Sequence, residues 1–476
     1  MTARVFDAIA GHAAASDTAI ALRSGERVIS YRALCGFLAA CAPALDDVPR
    51  VVGIACADSL DAALADLALT YWGRVPVHLP PFFSPAQRAH IITAAGLGAV
   101  IGARDAATPS LVLPQPEDCA LANDLPASVE GAQRIIFTSG SSGQPKGVVL
   151  GARQMAAALA GLEKAILPTR SEVHLSLLPM AQLLEQIAGL YLPLLAGAQI
   201  RFCPEALPAL FGGPIEPVLQ TMTQAQPTTT IVVPALLARL LSGLRTSGTR
   251  APESLRFVAV GGAATAPALL AEAEALGLPV FEGYGLSECS SVVALNRPGD
   301  VRRGTVGRVL DGVNLRIEDG EIVISGPTVM EGYLGQPPVS GDWHTGDLGR
   351  IEDGRLIVEG RKDWLIVTPE GRNINPEWIE AQLGADPRIP AAGVHLAPDG
   401  QLEIIAAVAA DVEAARVATL LAGLPAYARP ARVIFVPAAR DGLLKPGGGI
   451  DRSQLAALST SFPALSLIHD TKDCIA

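Results

Sequence analysis

The sequence is short of aromatic residues (4%) and of charged ones (17%), and it lacks any uninterrupted apolar run long enough to span a bilayer. Its nearest candidate, 187–200, contains Pro193, is preceded by Glu185 and is closed by Arg201, so it reads as a buried segment and no transmembrane helix is expected. Cysteine is sparse and unpaired in pattern: seven residues (Cys35, Cys41, Cys56, Cys119, Cys203, Cys289, Cys474), with no CxxC and no His/Cys cluster at zinc spacing. A disulfide framework and a structural zinc are therefore not expected, and no HExxH occurs. The first fifteen residues carry Arg4, Asp7 and His12 and lack a basic stretch followed by an apolar one. That is not a secretory leader, and a cytoplasmic location is the expectation. Positive charge is in deficit, 36 Lys+Arg against 47 Asp+Glu for a net charge of −11, which argues against nucleic acid as a partner.

Aliphatic mass is what the chain has instead. Half of its 476 residues are hydrophobic, and the mean hydropathy is +0.35. Alanine, leucine and valine supply most of this, as in a globular protein of two to three folding units. Residues 51–56 read as a short apolar strand and 59–72 as an alanine-rich helix, and strand-like runs recur at 134–137, 229–233 and 256–260 before Gly, Ser or Pro. This alternation predicts an α/β fold with a mostly parallel sheet. From Gly304 the pattern changes to short strands at 314–318, 321–325, 348–352 and 356–359, with Asp-Gly hairpin signals at 319–320 and 353–354. After Asp363 come a strand at 364–368, a helix from Pro376, a strand at 404–408 and a helix from about Val412. The expected organisation is a large N-terminal domain, 1–362, of mixed, mostly parallel sheets with a β-rich subdomain, and a small α+β domain, 363–476.

The densest chemical signal is the loop Thr138-Ser139-Gly140-Ser141-Ser142-Gly143-Gln144-Pro145-Lys146-Gly147. Glycines let successive backbone N–H groups converge on a phosphate, small hydroxyls add donors, and Lys146 adds a point charge. It is no Walker A loop, because no Gly-Lys-Ser/Thr closes it and no helix follows at once. Glycine- and serine-rich loops also serve as plain surface turns; the Pro-Lys-Gly ending is what makes this one specific.

The loop resembles the phosphate-binding loop of the adenylate-forming (AMP-binding) superfamily, which includes acyl-CoA synthetases, peptide-synthetase adenylation domains and luciferases. Four further blocks follow in the family's order: Gly261-Gly262-Ala263, Gly283-Tyr284-Gly285-Leu286-Ser287-Glu288, Trp343-His344-Thr345-Gly346-Asp347 and Gly360-Arg361-Lys362-Asp363. The resemblance implies that Thr138, Ser139, Gly140, Ser141, Ser142, Gly143 and Lys146 hold the phosphates of ATP or AMP. It places Gly262, Ala263, Gly283, Tyr284 and Gly285 about the adenine, with Tyr284 stacking on it, and Ser287 and Glu288 toward the phosphates. Glu288 would supply an oxygen ligand for Mg²⁺. Asp347 would accept from the ribose hydroxyls, Arg361 would contact ribose or phosphate, and Asp363 would be the hinge of a mobile small domain.

The implied reaction is the attack of a carboxylate on the α-phosphorus of ATP, followed by displacement of AMP by a thiol. Coenzyme A or the phosphopantetheine of an acyl carrier protein acting in trans would supply that thiol. One block departs from the pattern. The family's closing Gly-Lys-x-x-Arg carries a lysine that enters the site during adenylation, and here, counting back from Arg452, Gly449 takes its place. Three readings fit: Lys445, four residues earlier on a glycine-rich segment, substitutes for it; the chain is an adenylation-impaired relative; or the lysine was removed to trap one state.

For the acid, Leu178-Pro179-Met180-Ala181-Gln182-Leu183-Leu184-Glu185 resembles a segment of long-chain fatty acyl-CoA synthetases, with Gln182 where those enzymes carry histidine. The expected substrate is a medium- or long-chain fatty acid. The alternative is an aryl or unusual small acid.

Overall fold

The computed structural model describes residues 2–80, 83–102, 108–126, 134–139, 145–369, 372–438, 440 and 451–467. The expected α/β class is what it shows. A nine-stranded sheet runs in the spatial order Arg308–Val309, Ser291–Leu295, Val280–Leu286, Phe257–Val260, Thr229–Val232, Val173–Ser176, Gln199–Phe202, Ile20–Ser24, Arg27–Ser30. Its interior pairs are parallel, and antiparallel partners close both edges. Parallel interior strands are buried on both faces, which is why Thr229–Val232 is buried at every position and reads as a continuous β-branched run.

A second sheet of four parallel strands contains Val51–Ile54 and Val75–His78, joined by the helix Ser59–Tyr71. That helix starts where Asp58 caps it, accepting from the backbone N–H groups of Leu60 and Asp61. The expected helix at 59–72 thus has its cause in one aspartate followed by an alanine-rich run. The strand expected at 134–137 exists as Arg134–Ser139, but it pairs antiparallel with Pro145–Leu150 instead of joining a parallel unit. The phosphate-loop candidate is the connection of this hairpin, and Tyr333 extends the same small sheet.

The two Asp-Gly signals behave as expected. Asp319 and Gly320 have φ of 49° and 80°, and Asp353 and Gly354 have 50° and 73°, the paired positive φ values of tight hairpin turns. These turns fold Asn314–Glu318, Glu321–Ser325, Trp343–Glu352 and Arg355–Arg361 into an antiparallel four-stranded sheet.

Beyond Asp363, the segment Leu402–Val408 forms a mixed four-stranded sheet with Ala391–Leu396, Arg432–Pro437 and Ala464–Ser466. The helix Pro376–Leu383 covers it, and Ile379, Leu383, Ile404 and Val433 pack into a core of their own. The expected strand at 364–368 is a correction. Lys362–Trp364 forms a 3-10 turn, and only Ile366–Val367 is extended, in a two-stranded ladder with Asn373–Ile374. In the turn Trp364 lies against the guanidinium groups of Arg361 and Arg452, contacts that the strand-like composition does not reveal. Among the described residues, no helix is long and apolar enough to cross a membrane.

Candidate functional site

Of the residues singled out by sequence, the Gly261–Ala263 and Gly283–Gly285 blocks lie where parallel strands of the large sheet end, the usual place for a ligand crevice in an open α/β sheet. Val260 pairs with Glu282, so the Gly261-Gly262-Ala263 turn lies beside Gly283-Tyr284-Gly285. Side chains are excluded here by backbone: a Cβ on Gly285 would sit 1.6 Å from the Ser291 carbonyl oxygen, and Gly262 has φ +85°. Gly262 and Ala263 are exposed at the strand end, where a flat ligand can approach the main chain.

Tyr284 is half-buried, and its hydroxyl donates to Asp347 Oδ2 at 2.5 Å. Burial, and then the Asp347 carboxyl, push the Tyr284 phenol up, so it stays a donor. Asp347 lies directly across a strand pair from Arg361, whose Nη1 donates to Asp347 Oδ1 at 3.1 Å and to the Thr345 carbonyl at 2.8 Å. Glycine at 346, next to Asp347, suits this packing. Gly346 has φ +72°, and a Cβ there would lie 2.9 Å from the Arg361 guanidinium. Three sequence blocks thus form one unit, Tyr284–Asp347–Arg361. A carboxylate accepts about four hydrogen bonds, so Asp347 retains capacity for ligand hydroxyls.

A second unit centres on Tyr333. Its hydroxyl donates to Glu288 Oε1 at 2.8 Å, and Lys146 Nζ sits over its ring, 5.4 Å from the centroid. Tyr333 thus links Glu288 to the hairpin that carries Lys146. Thr138 pairs with Lys146 across the hairpin, and Ser139 with Pro145, so both ends of the loop are fixed. Gly140, Ser141, Ser142 and Gly143 lie outside the described residues, as do Lys445 and Gly449. Ser287 opens the 3-10 turn Ser287–Cys289 that carries Glu288.

At the expected hinge, Asp363 Oδ2 accepts from Arg361 Nη2 at 3.3 Å, and the Arg361 backbone N–H donates to Glu377 Oε2 at 3.2 Å. The Arg452 guanidinium lies 4.4 Å from the Trp364 ring centroid and bonds Glu380. Sequence reasoning singled out neither Tyr333 nor Trp364 nor Glu377. No motif contains Tyr333; its position in a strand that pairs with the phosphate hairpin is the only cue, and that pairing is tertiary.

Glu282, at the end of the strand leading into this site, is pushed up by burial to about 7, with Arg303 opposing. Between its ordinary value of 4.5 and about 7 the folded chain therefore holds a proton that the unfolded chain has released. Stability should fall as pH rises through that interval and level off above it. Glu282→Gln is expected to flatten this decline; urea midpoints at several pH values between roughly 4.5 and 7.5 check it, and an unchanged slope would assign the decline elsewhere.

A family model described as AMP-binding enzyme matches residues 9–334. Among curated proteins, the 2-succinylbenzoate–CoA ligase of Enterococcus faecalis is 31% identical over 298 residues, 58% of this chain and 59% of that protein. The long-chain-fatty-acid–CoA ligase FadD15 of Mycobacterium bovis is 44% identical over 126 residues, 25% of this chain and 21% of that one. The chain thus spans less than two-thirds of the length of these relatives. Among solved structures, an anthranilate CoA ligase in complex with anthranoyl-AMP superposes with a TM-score of 0.82 at 20% identity, covering 96% of this chain and 97% of its own. The O-succinylbenzoate coenzyme A synthetase of Bacillus subtilis, in complex with ATP and magnesium ion, gives 0.78 at 22% identity, covering 94% and 98%. At these identities the two structures establish the shared fold.

Proposed function

We propose, because this chain belongs to the AMP-binding enzyme family, that it is an ATP-dependent acid–thiol ligase working through an acyl-adenylate. The observation that carries the reading is the convergence of Tyr284, Asp347 and Arg361 with Lys146, Tyr333 and Glu288 at the strand ends. In the first step a carboxylate oxygen of the acid bonds to the α-phosphorus of ATP, and the bond to pyrophosphate breaks. In the second a thiolate sulfur bonds to the acyl carbon, and AMP leaves with the oxygen that had bridged. Positioning and charge neutralisation supply most of the acceleration, since the protein forms no bond of its own.

In this reading Lys146 and the hydroxyl-rich loop hold the phosphates, and Asp347 takes the ribose hydroxyls while Arg361 braces it. Tyr284 presents its ring beside the Gly261–Ala263 turn, where adenine would lie. Glu288 suits Mg²⁺, because a carboxylate with one oxygen engaged by Tyr333 offers the other as a hard ligand. When bound, that ion would neutralise charge on the phosphates. We divide the chain at 362/363 and place the hinge at Asp363, with coenzyme A or a carrier phosphopantetheine as acceptor.

For the acid, the longer relatedness is to ligases of 2-succinylbenzoate and the shorter to a fatty-acid ligase. The first favours a compact acid with a ring over the long-chain fatty acid expected from the Leu178–Glu185 segment. A panel of aryl and fatty acids decides between them by rate of AMP formation.

Lys146→Ala is expected to lower AMP formation about 10²-fold or more, the effect of losing a preorganised charge at the reacting phosphate. Cys289→Ala, at a fully buried thiol that adjoins Glu288 but makes none of these hydrogen bonds, should stay within about threefold. Equal losses in the two variants would mean that the loop is not the phosphate site.

A further inference from the structure

On one face of the large sheet, alternation along the strands sets His174 and Ser176 beside Thr229 and Ile231, and these beside Phe257 and Ala259. His174, Thr229, Ile231, Phe257 and Ala259 line a cavity that Ala188 closes from the opposite side, and its walls are otherwise mainly aliphatic. The same strand face runs on from Ala259 to Gly261, beside Gly283, where the nucleotide residues are gathered. From the His174 row to Gly261 is four residues along the strand, about 13 Å, and from the Ser176 row two residues, about 7 Å.

Beside this face several buried polar atoms make no hydrogen bond among the described residues. His174, Ser176 and Glu185 are 2%, 3% and 0% exposed, yet His174 Nε2, Ser176 Oγ and both Glu185 carboxyl oxygens make no hydrogen bond among the described residues. His174 Nδ1 is held by Thr229 Oγ1 at 3.0 Å, which aims Nε2 at Glu185 Oε1, 3.7 Å away and too far for a hydrogen bond. Glu185 opens a π-helical turn, Glu185–Tyr191, a widened geometry that recurs at functional sites. Its carboxyl group folds back over Gly189, where a Cβ would lie 2.6 Å from Oε1. The backbone thus makes room for a carboxyl group that accepts no hydrogen bond among the described residues. Native interiors pair such groups, so an orphaned cluster beside an apolar cavity marks the seat of a polar group that arrives from outside.

We propose that the acid activated by this chain has an apolar body bearing a hydroxyl or amino group roughly 7–13 Å from its carboxylate, the span of two to four strand residues, and that His174 and Glu185, with Ser176, receive that group. The proposal rests on the ligase reading above and narrows its substrate. It sets aside an unsubstituted fatty acid, which would leave the cluster unpaired, and an aryl acid too short to reach it. Discrimination follows from the asymmetry of buried polar sites: an analogue that lacks the matching hydroxyl leaves both His174 and Glu185 without a partner.

The test uses the full chain and acyl-sulfamoyl adenosines, unreactive mimics of the acyl-adenylate, so it needs no adenylation. Calorimetry compares ω-hydroxydecanoyl with decanoyl, and para-hydroxycinnamoyl with cinnamoyl, with AMP as reference. At least one hydroxylated member is expected to bind about 10²-fold more tightly than its partner. In Glu185→Leu and in His174→Phe that preference should shrink to within about threefold while AMP affinity stays unchanged. Glu185→Gln, which keeps the shape and can still hydrogen-bond, should retain part of it and serves if the apolar variants do not fold. Equal affinity within both pairs, with AMP still bound, would overturn the proposal and leave His174 and Glu185 as an internal pair bridged by water. Failure to bind AMP would instead sink the ligase reading, and the proposal with it.

Discussion

Asp66→Ala is expected to lower stability by about 3–5 kcal/mol, the cost of stranding a buried charge. Asp66 is fully buried, and Arg134 is 3% exposed. Arg134 Nη2 donates to Asp66 Oδ1 at 2.9 Å, Tyr191 donates to the same oxygen at 2.6 Å, and His78 Nε2 lies 2.9 Å from Oδ2. Arg134 also reaches Gln186 and Thr70. The cluster ties the helix Ser59–Tyr71, the strand Val75–His78 and the π-turn to the strand Arg134–Ser139, which leads into the phosphate loop. Burial alone would push the Asp66 carboxyl up, but Arg134 and His78 hold it well below the usual carboxylate range. Its contribution is therefore complete above the unfolded value of about 3.8 and is lost only as pH falls through the lower folded value. At neutral pH the loss in Asp66→Ala should be independent of pH, unlike the slope assigned to Glu282. The double variant Asp66→Leu with Arg134→Met removes both charges and is expected to recover most of the loss, since an apolar pair of similar volume carries no desolvation penalty. Denaturant unfolding of the three proteins checks this. A single variant within about 1 kcal/mol of the parent would show that the network is not a fastening point of the fold.

Gly449→Lys is expected to raise acid-dependent pyrophosphate release about 10²-fold or more, and to change thioester formation from supplied acyl-adenylate by less than about threefold. The reasoning is electrostatic. A lysine at that position would bridge carboxylate and phosphate oxygens as charge develops, and removal of one such preorganised donor typically costs 10²–10³ in rate. Glycine offers nothing in its place. A gain confined to the first step identifies Gly449 as the cause of a slow adenylation. A parent chain already fast in that step means that Lys445 or another group fills the role, and Lys445→Ala in the parent distinguishes the two, abolishing the step only if Lys445 is that group.

Most of the candidate site was legible because its chemistry is local. Gly346 takes φ +72° beside the Arg361 guanidinium, and Gly285 must be glycine for the strand to pass the Ser291 backbone; such local demands show as short blocks of particular residue types. The Asp-Gly turns were readable for the same reason, since few residues tolerate two successive positive φ values. What escaped was tertiary. Nothing near Tyr333 announces that it joins Lys146 to Glu288, and the strand-like runs on both sides of the glycine-rich loop are legible while their antiparallel pairing with each other is not, because pairing is settled by distant packing. The Leu178–Glu185 segment shows in sequence its resemblance to fatty acyl-CoA synthetases; the placing of the buried Glu185 carboxyl beside His174 and over Gly189 joins residues that no periodicity connects. Trp364 is the same lesson in the small domain, where two arginines lie against it in a turn that the strand-like composition does not reveal.

The account stands on an acyl-adenylate, and the most direct measurement follows an oxygen atom through it. An acid accepted by the chain, labelled with oxygen-18 in its carboxylate, is turned over with ATP, Mg²⁺ and coenzyme A, in parallel for the parent and for Gly449→Lys, and the nucleotide product is weighed by mass spectrometry. The account predicts AMP carrying one labelled oxygen, because the carboxylate oxygen that attacks phosphorus leaves with it. Label in inorganic phosphate with ADP as the nucleotide product, or thioester formed with unlabelled AMP, would contradict it.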